Sequence, residues 1–559
     1  MFRDNSFWIS RFHHLSVYSF SLMKMNSLLF ATLLVLLFPL PGVASDSDPE
    51  GSGSAPLDLS LYTSFNLYDN RDQRVEPWHR LGFAALYETD PFRLSLDFSV
   101  INDERYSPAE PINMMGYRFD FHEGTVEVGN DVVRLRGGRE QQRDEFESPY
   151  TLFMNSYERV FSPVILELSY EGEFFFYRSR WIELNRNTEN FVRRVPVYDA
   201  EGLDDVPETD RELYPWEDVA ELDGESGDTT NRIVGYTLEP FERGGNYTVY
   251  GITPGNWRIG FQESVVYINQ SFHPEYFLSP LPPYFTQLFI SKGDKPWRQR
   301  DDENLHMGFF AEYTEPDWAA YGQFLMGDIN LNALTTDVRT QPQKWAWSFG
   351  GWWDTRFGRF GAYHAGATRY LFQSTTTSGT RANDVFSTQR YEYTYWPVVE
   401  FEIDERRVID YRENYIGYKY GENNLALMLT WENDYDGWDV DAMLEGVVSG
   451  SKSPSNPWHG YRRHPGRRDD ARAPHYIHML DEWPLEWTVR LGSSVAREFG
   501  PWGLHASLMT GYVWNELELA RPENTPDARP EARIWVPGNV SRPLFQLSLG
   551  GRYSYTWRP

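Results

Sequence analysis

Two pairs of arginines sit at alternate positions in short stretches, Arg134 and Arg136 in "VVRLRGG" and Arg178 and Arg180 in "FFYRSRW". Alternate residues of an extended chain share a face, so each pair would present two guanidinium groups side by side. Such groups can hold an anionic sugar or select permeating anions, or they can be neutralised by carboxylates of neighbouring strands such as Glu127 and Glu173. A third group, Arg462, Arg463, Arg467 and Arg468 in "YRRHPGRRDDARAPHY", is a strong basic cluster in a chain of net charge -29. It suits phosphates of lipopolysaccharide or a charged glycan, and equally a solvated loop neutralised by Asp469 and Asp470. These eight arginines are the candidate glycan or anion contacts.

Other chemistry finds little support. Glu400 and Glu402 in "PVVEFEIDERR" share a strand face, as two acids of a glycosidase would. With 81 acidic residues in the chain, alternation produces such pairs by chance, and no catalytic role is assigned to them. There is no HExxH, G-x-S-x-G, P-loop or dinucleotide glycine pattern, and nothing around the histidine of "DDENLHMG" is spaced as a metal site. With no cysteine, disulfides and thiolate ligands are excluded. The sequence therefore points to a protein that is not an enzyme and carries no cofactor or metal. Its acidity excludes nucleic acid as a partner, because phosphate binding needs clustered positive charge.

The elements that would carry these side chains are strands. "DPFRLSLDFSV" places Phe92, Leu94, Leu96, Phe98 and Val100 on one face and Arg93, Ser95, Asp97 and Ser99 on the other. "LDLSLYTSFNLY" and "FQLSLGGRYSYTW" repeat the pattern near the two ends of the chain. Period-two runs of about ten residues exceed the usual strand of a soluble sheet and match a tilted membrane strand. Turns are expected at Asp434 to Gly437 and at Phe499-Gly500-Pro501, with Trp431 and Trp438 beside the first, as an interfacial belt would have it. Aromatic residues make up 16% of the chain while mean hydropathy is only -0.57. Aromatic girdles around a polar lumen give that balance.

Long polar segments at 197–231, 451–475 and 518–542 alternate with the short turns, the asymmetry of an outer-membrane barrel. From Met23, "MKMNSLLFATLLVLLFPLPGVAS" reads as a signal peptide, with the start at Met23 or Met25 and cleavage before Ser45. That divides the chain into an extension and signal over residues 1–44 and one barrel domain over 45–559. At roughly 28 residues per strand and connection, the domain holds about 18 antiparallel strands. In hydrocarbon an edge strand would leave N–H and C=O groups unpaired, so the last strand must close on the first.

The middle of the chain adds a resemblance. "TVYGITPGNWRIGFQESVVYINQSFHPEYFLSPLPPYFTQLFISKGD" and "ENLHMGFFAEYTEPDWAAYGQFLMGDIN" resemble the Wzi-type capsule-assembly outer-membrane proteins, with Gly260, Glu263, Tyr267, Phe277, Pro280 and Asp328 at matching places. Where relatives carry Gly-Pro-Gly, this chain has "GGREQQRDEF", which departs from the pattern. The resemblance implies an all-β, single closed transmembrane barrel of 18 strands with small periplasmic helical elements, and a role in attaching or assembling surface polysaccharide, with no catalytic set. The partners it implies are outer-membrane lipid, surface polysaccharide or lipopolysaccharide, and the outer-membrane assembly machinery. A general diffusion porin is the alternative, and a soluble periplasmic glycan-binding or hydrolysing all-β protein is a third. A porin needs a continuous wet path through its lumen, whereas a glycan binder can be plugged.

Overall fold

The computed structural model describes residues 57–69, 77–102, 117–154, 162–185, 192–198, 233–240, 243–268, 270–290, 303–328, 344–369, 371–372, 417–452, 479–481, 483–520 and 534–557. The signal segment, Glu400, Glu402 and the Arg462, Arg463, Arg467, Arg468 cluster lie outside the described residues.

The strands follow in chain order: β1 (Leu57–Asp69), β2 (Trp78–Thr89), β3 (Phe92–Ile101), β4 (Arg118–Gly129), β5 (Val133–Arg139), β6 (Val164–Glu171), β7 (Phe175–Asn185), β8 (Val192–Tyr198), β9 (Ile233–Pro240), β10 (Arg243–Ile252) and β11 (Trp257–Ile268). Two short helices, α1 (Pro274–Leu278) and α2 (Pro283–Ile290), precede β12 (Glu303–Glu315), β13 (Trp318–Asp328), β14 (Lys344–Thr355), β15 (Gly358–Ala367), β16 (Asn424–Tyr435) and β17 (Trp438–Ser449). The chain ends with β18 (Glu486–Phe499), β19 (Trp502–Trp514), β20 (Leu517–Ala520), β21 (Ile534–Pro537) and β22 (Arg542–Trp557).

Eighteen of these strands form one antiparallel sheet. The pairs β8–β9 and β20–β21 are separate hairpins within the connections after β7 and β19. β1 pairs with β2 on one side and with β22 on the other, so the sheet closes as the alternating end segments require. The closing seam runs from Leu57 opposite Trp557 to Asp69 opposite Gln546. Both ends of the barrel chain therefore meet at one rim. The same rim carries the tight turns between β2 and β3, β4 and β5, β16 and β17, and β18 and β19, while the long connections gather at the other. Two of the tight turns contain left-handed glycines, Gly437 at φ 74° and Gly500 at φ 62°, where a Cβ would be strained. The helices α1 and α2 lie in the connection between β11 and β12, which leaves the sheet at the long-connection rim. The small helices expected on the periplasmic side thus belong to a connection of the rim opposite the chain ends.

The face assignment follows from register. Arg93 pairs with Glu127, Glu127 with Arg136, Arg136 with Glu167, Glu167 with Arg180, and Arg180 with Tyr247. Tyr247 touches a segment inside the barrel, so all of these point to the lumen. Leu94, Leu96 and Phe98 consequently face out, where Leu94, Val126 and Leu135 are all exposed. Exposed aromatics flank the tight-turn rim, among them Trp257, Trp318, Trp353, Phe499, Trp502 and Trp557. An apolar outer wall with aromatics at its border is a lipid-facing wall. Leu96→Arg, in the middle of β3, should therefore lower stability by about 2–4 kcal/mol, whereas Ser95→Lys on the lumen face should cost little. Urea unfolding of the bilayer-inserted barrel measures both; equal, small effects would contradict the assignment.

Candidate functional site

The lumen is partly filled by the chain itself. After β5, residues 140–154 turn inward, and Gln142, Asp144, Phe146, Ser148, Tyr150, Leu152, Phe153 and Met154 are all buried. Asp144 is the hub. Its Oδ1 accepts hydrogen bonds from Tyr247 OH at 2.8 Å and Gln262 Nε2 at 2.6 Å, and its Oδ2 from Gln323 Nε2 at 2.9 Å. The backbone N–H groups of Phe153 and Met154 donate to Oδ2 at 3.2 and 3.4 Å, closing the segment on itself. Gln323 in turn accepts from Leu152 N at 2.8 Å and donates to Gln262 at 2.8 Å. Buried polar groups with full sets of partners fix a single conformation.

Farther along, Ser148 and Tyr321 share a hydroxyl hydrogen bond, and the Phe146 ring lies 4.6 Å from that of Tyr321. Tyr150 reaches the far wall, donating to Glu445 Oε1 at 2.9 Å. Glu445 also receives Tyr420 OH at 2.6 Å and Lys419 Nζ at 2.8 Å, with Arg490 Nη1 at 3.4 Å. Leu152, Phe153 and Met154 join Leu325, Ala346, Ala365, Met428 and Val447 in an apolar core inside the barrel. Small wall residues make room for it: a Cβ on Gly308 would stand 2.9 Å from the Phe153 ring and 2.0 Å from the Phe324 carbonyl oxygen.

The predicted arginine pairs border this insertion. Arg136 Nη2 lies 3.1 Å from both Glu140 Oε1 and Glu167 Oε1. Arg178 Nη1 is 3.0 Å from Glu145, and Arg180 binds Glu167, Gln142 Oε1 at 3.1 Å and the Arg143 carbonyl at 3.0 Å. Arg258, which the sequence reading did not single out, bridges Glu145 at 3.1 Å and Glu171 at 2.6 Å and stacks 3.7 Å over the Phe176 ring. Arg134 is exposed, with Glu127 3.9 Å and Asp131 3.7 Å away. Glu127 is thus near an arginine as expected, while Glu140, Glu145 and Glu167 take the places imagined for Glu173. From β2 to β7 the register row Glu88, Arg93, Glu127, Arg136, Glu167, Arg180 alternates in sign. Adjacent opposite charges on one sheet face contribute roughly 0.2–1 kcal/mol each.

The opposite sector of the inner wall, on β19, β22, β1, β2 and β3, has a different character. Arg552 and His505 are exposed, and Tyr62, Ser64, Asp97, Gln546 and Ser548 are half-buried. Its polar groups bond across the strands, Tyr62 OH to Asp97 Oδ1 at 2.6 Å, Arg552 Nη2 to Ser60 Oγ at 2.9 Å and Gln546 Nε2 to Asn66 Oδ1 at 3.1 Å. This wall faces water.

A closed sheet with a lipid-facing outside and a wet, charged inside has one environment. The chain is an outer-membrane β-barrel. No protein-family model matches it, and no curated protein matches it by sequence. Among solved structures it is similar to Wzi, an Escherichia coli outer-membrane protein involved in group 1 capsule assembly and described as a carbohydrate-binding barrel, with 11% identity over 90% of this chain and 85% of that one and a TM-score of 0.44. It is also similar to the outer membrane protein opdK of Pseudomonas aeruginosa, at 8% identity over 90% and 99% of the two chains and a TM-score of 0.39. A third is OccAB2 of Acinetobacter baumannii, at 8% identity over 91% and 100% of the chains and a TM-score of 0.41. At these identities the likeness is to several large barrels at once and assigns no family. Among the described residues, no group of three or more His, Asp or Glu side chains is placed to hold a metal ion.

Proposed function

We propose that the protein is a selective diffusion channel of the outer membrane, in which residues 140–154 fill one sector of the lumen and leave a polar lane along the other. The observation that carries this reading is the solvent-exposed inner wall of β19, β22 and β1–β3, with Arg552 and His505 open to water. An inner wall with no aqueous path beside it would have its polar side chains buried and paired among themselves. Hydrophilic solutes would pass between that wall and the inserted segment, with the alternating charges of β2–β7 as the polar boundary of the path.

A second reading, attachment or assembly of surface polysaccharide, is favoured by the depth at which the segment is stitched. A lumen plugged by Asp144 and Glu445 networks serves a binder as well as a channel, and glycan would then meet Arg134, which is exposed. Planar-bilayer conductance of the refolded protein, run beside binding of the native surface polysaccharide, separates the two. Steady single-channel steps are expected from the channel. Electrical silence with saturable, salt-sensitive glycan binding would replace it with the second reading.

A further inference from the structure

The helices α1 and α2 do not enter the lumen. On the outside of the barrel α1 packs over β7 and α2 over β11 and β12, and Ser271, just before α1, lies against Gly244 of β10. The residues they meet each neighbour a lumen-facing side chain in sequence and so point the other way: Ser179 beside Arg180, and Glu263 beside Gln262. Ser179 Oγ donates to the Phe277 carbonyl at 2.8 Å, and Tyr177 OH to that of Ser279 at 3.4 Å. Tyr267 OH accepts the His273 N–H at 3.1 Å while donating to Asn246 Oδ1 at 3.0 Å. Glu263, fully buried, lies beside the backbone of Tyr284 in the first turn of α2, and neither of its carboxyl oxygens has a hydrogen-bond partner among the described residues.

The strap is apolar on both of its sides. Toward the wall its hydrogen bonds surround a buried cluster of Val265, Tyr267, Tyr276, Ile290 and Trp181, while Leu278, Leu281 and Phe285 point away from it at 67%, 58% and 55% exposure. A helical strap in water would bury one apolar side and expose a polar one. The exposed apolar side of this strap also continues the lipid-facing surface of the adjoining strands, where Ile259 and Phe309 are exposed.

Height places it in the bilayer. The strap leaves the long-connection rim after β11, which runs from Trp257 at the tight-turn rim to Ile268. Its second helix starts against Glu263, midway along that strand, and Ser279 reaches Tyr177, near the tight-turn end of β7. The strap thus descends past the middle of the wall and returns. In hydrocarbon, non-helical backbone persists only where protein satisfies it, and the Ser179, Tyr177 and Trp181 donors to the strap carbonyls do so here.

We propose that residues 271–290 form a re-entrant strap inserted into the acyl-chain region of the bilayer, with Leu278, Leu281 and Phe285 in contact with lipid tails and the wall of β7, β10 and β11 sealed beneath it. The inference stands independently of whether the lumen conducts.

The chain has no cysteine, so Leu281→Cys, Phe285→Cys and, in the exposed β4–β5 turn, Asp131→Cys each give a single labelling site. Each variant is labelled with an environment-sensitive fluorophore and reconstituted in phosphatidylcholine vesicles, with folding checked by heat-modifiable gel mobility. The labels at 281 and 285 should emit at shorter wavelength than the label at 131. They should be quenched several-fold more by nitroxides deep in the acyl chains than by aqueous iodide, with the order reversed at 131. Iodide quenching at 281 and 285 as strong as at 131 would overturn the proposal. So would loss of lipid quenching together with disulfide-linked dimers of the unlabelled variants, which would show a second copy of the chain on this face.

Discussion

Asp144→Ala should loosen the inserted segment and raise single-channel conductance several-fold while leaving the barrel closed. Asp144 accepts from three wall side chains, Tyr247, Gln262 and Gln323, and from three N–H groups of its own segment, those of Glu145, Phe153 and Met154. Truncation leaves these buried donors without their acceptor, at about 1–3 kcal/mol for each group that finds no substitute. That cost falls on the docked state alone, because in the undocked state the same donors reach water. The strand ladder is untouched, since none of its hydrogen bonds involves Asp144. Asp144→Asn should lie between the two, because its amide nitrogen cannot accept where the second carboxylate oxygen did. The measurement is conductance in planar bilayers with trypsin accessibility at Arg143 as a second readout. Wild-type conductance combined with wild-type protection in Asp144→Ala would mean that the apolar packing of Phe146, Leu152 and Phe153 holds the segment unaided.

How far all this could be read beforehand depends on whether a feature is local. The alternation of Phe92 to Val100 fixes both a strand and its outward face, because a one-residue slip would turn every apolar side chain into the lumen. Closure of β22 on β1 also follows from local pattern plus the absence of water in hydrocarbon. The turns at 434–437 and 499–501 announce themselves through glycine and flanking aromatics.

The inserted segment was not legible in the same way. "REQQRDEFESPYTLFM" has neither strand nor helix period, and its burial exists only once a closed wall surrounds it. The Asp144 partners Gln262 and Gln323 are more than a hundred residues away in sequence, and nothing near either residue marks it as an acceptor's neighbour. The one available signal was the switch from charged to apolar residues after Glu147, unusual for a loop expected in water. The arginine pairs were legible as a lumen face, but their partners were not. Glu167 is the only acid in "VILELSY", and a lone carboxylate between apolar neighbours is a better candidate for a buried ion pair than Glu173 in an exposed turn. The strap was hidden for a different reason. "PEYFL" and "PPYFTQLFI" read as apolar helical turns, and apolarity alone does not say which side of a wall they cover.

Glu445→Ala should be the most destabilising single change in the lumen, and its effect should overlap with that of Tyr150→Phe. Glu445 is buried and holds Lys419 at 2.8 Å and Arg490 at 3.4 Å. Removing one partner of a buried ion pair costs about 3–5 kcal/mol, because the remaining charge is left uncompensated. Tyr150→Phe removes one hydrogen bond to a charged acceptor, worth about 1.5–3 kcal/mol. The two residues share that hydrogen bond, so the double variant should lose less than the summed single losses, and Tyr150→Phe should have little further effect once Glu445 is gone. Urea unfolding of the reconstituted barrel gives all four values. Full additivity would place Tyr150 outside the Glu445 network and leave the far end of the segment unanchored. Coupling, in contrast, makes Glu445 the point at which two connections, residues 140–154 and 417–423, are tied to one place on β17. Any widening of the lane by movement of the inserted segment then has to break the Tyr150 bond first, and the shared carboxylate sets how much that opening costs.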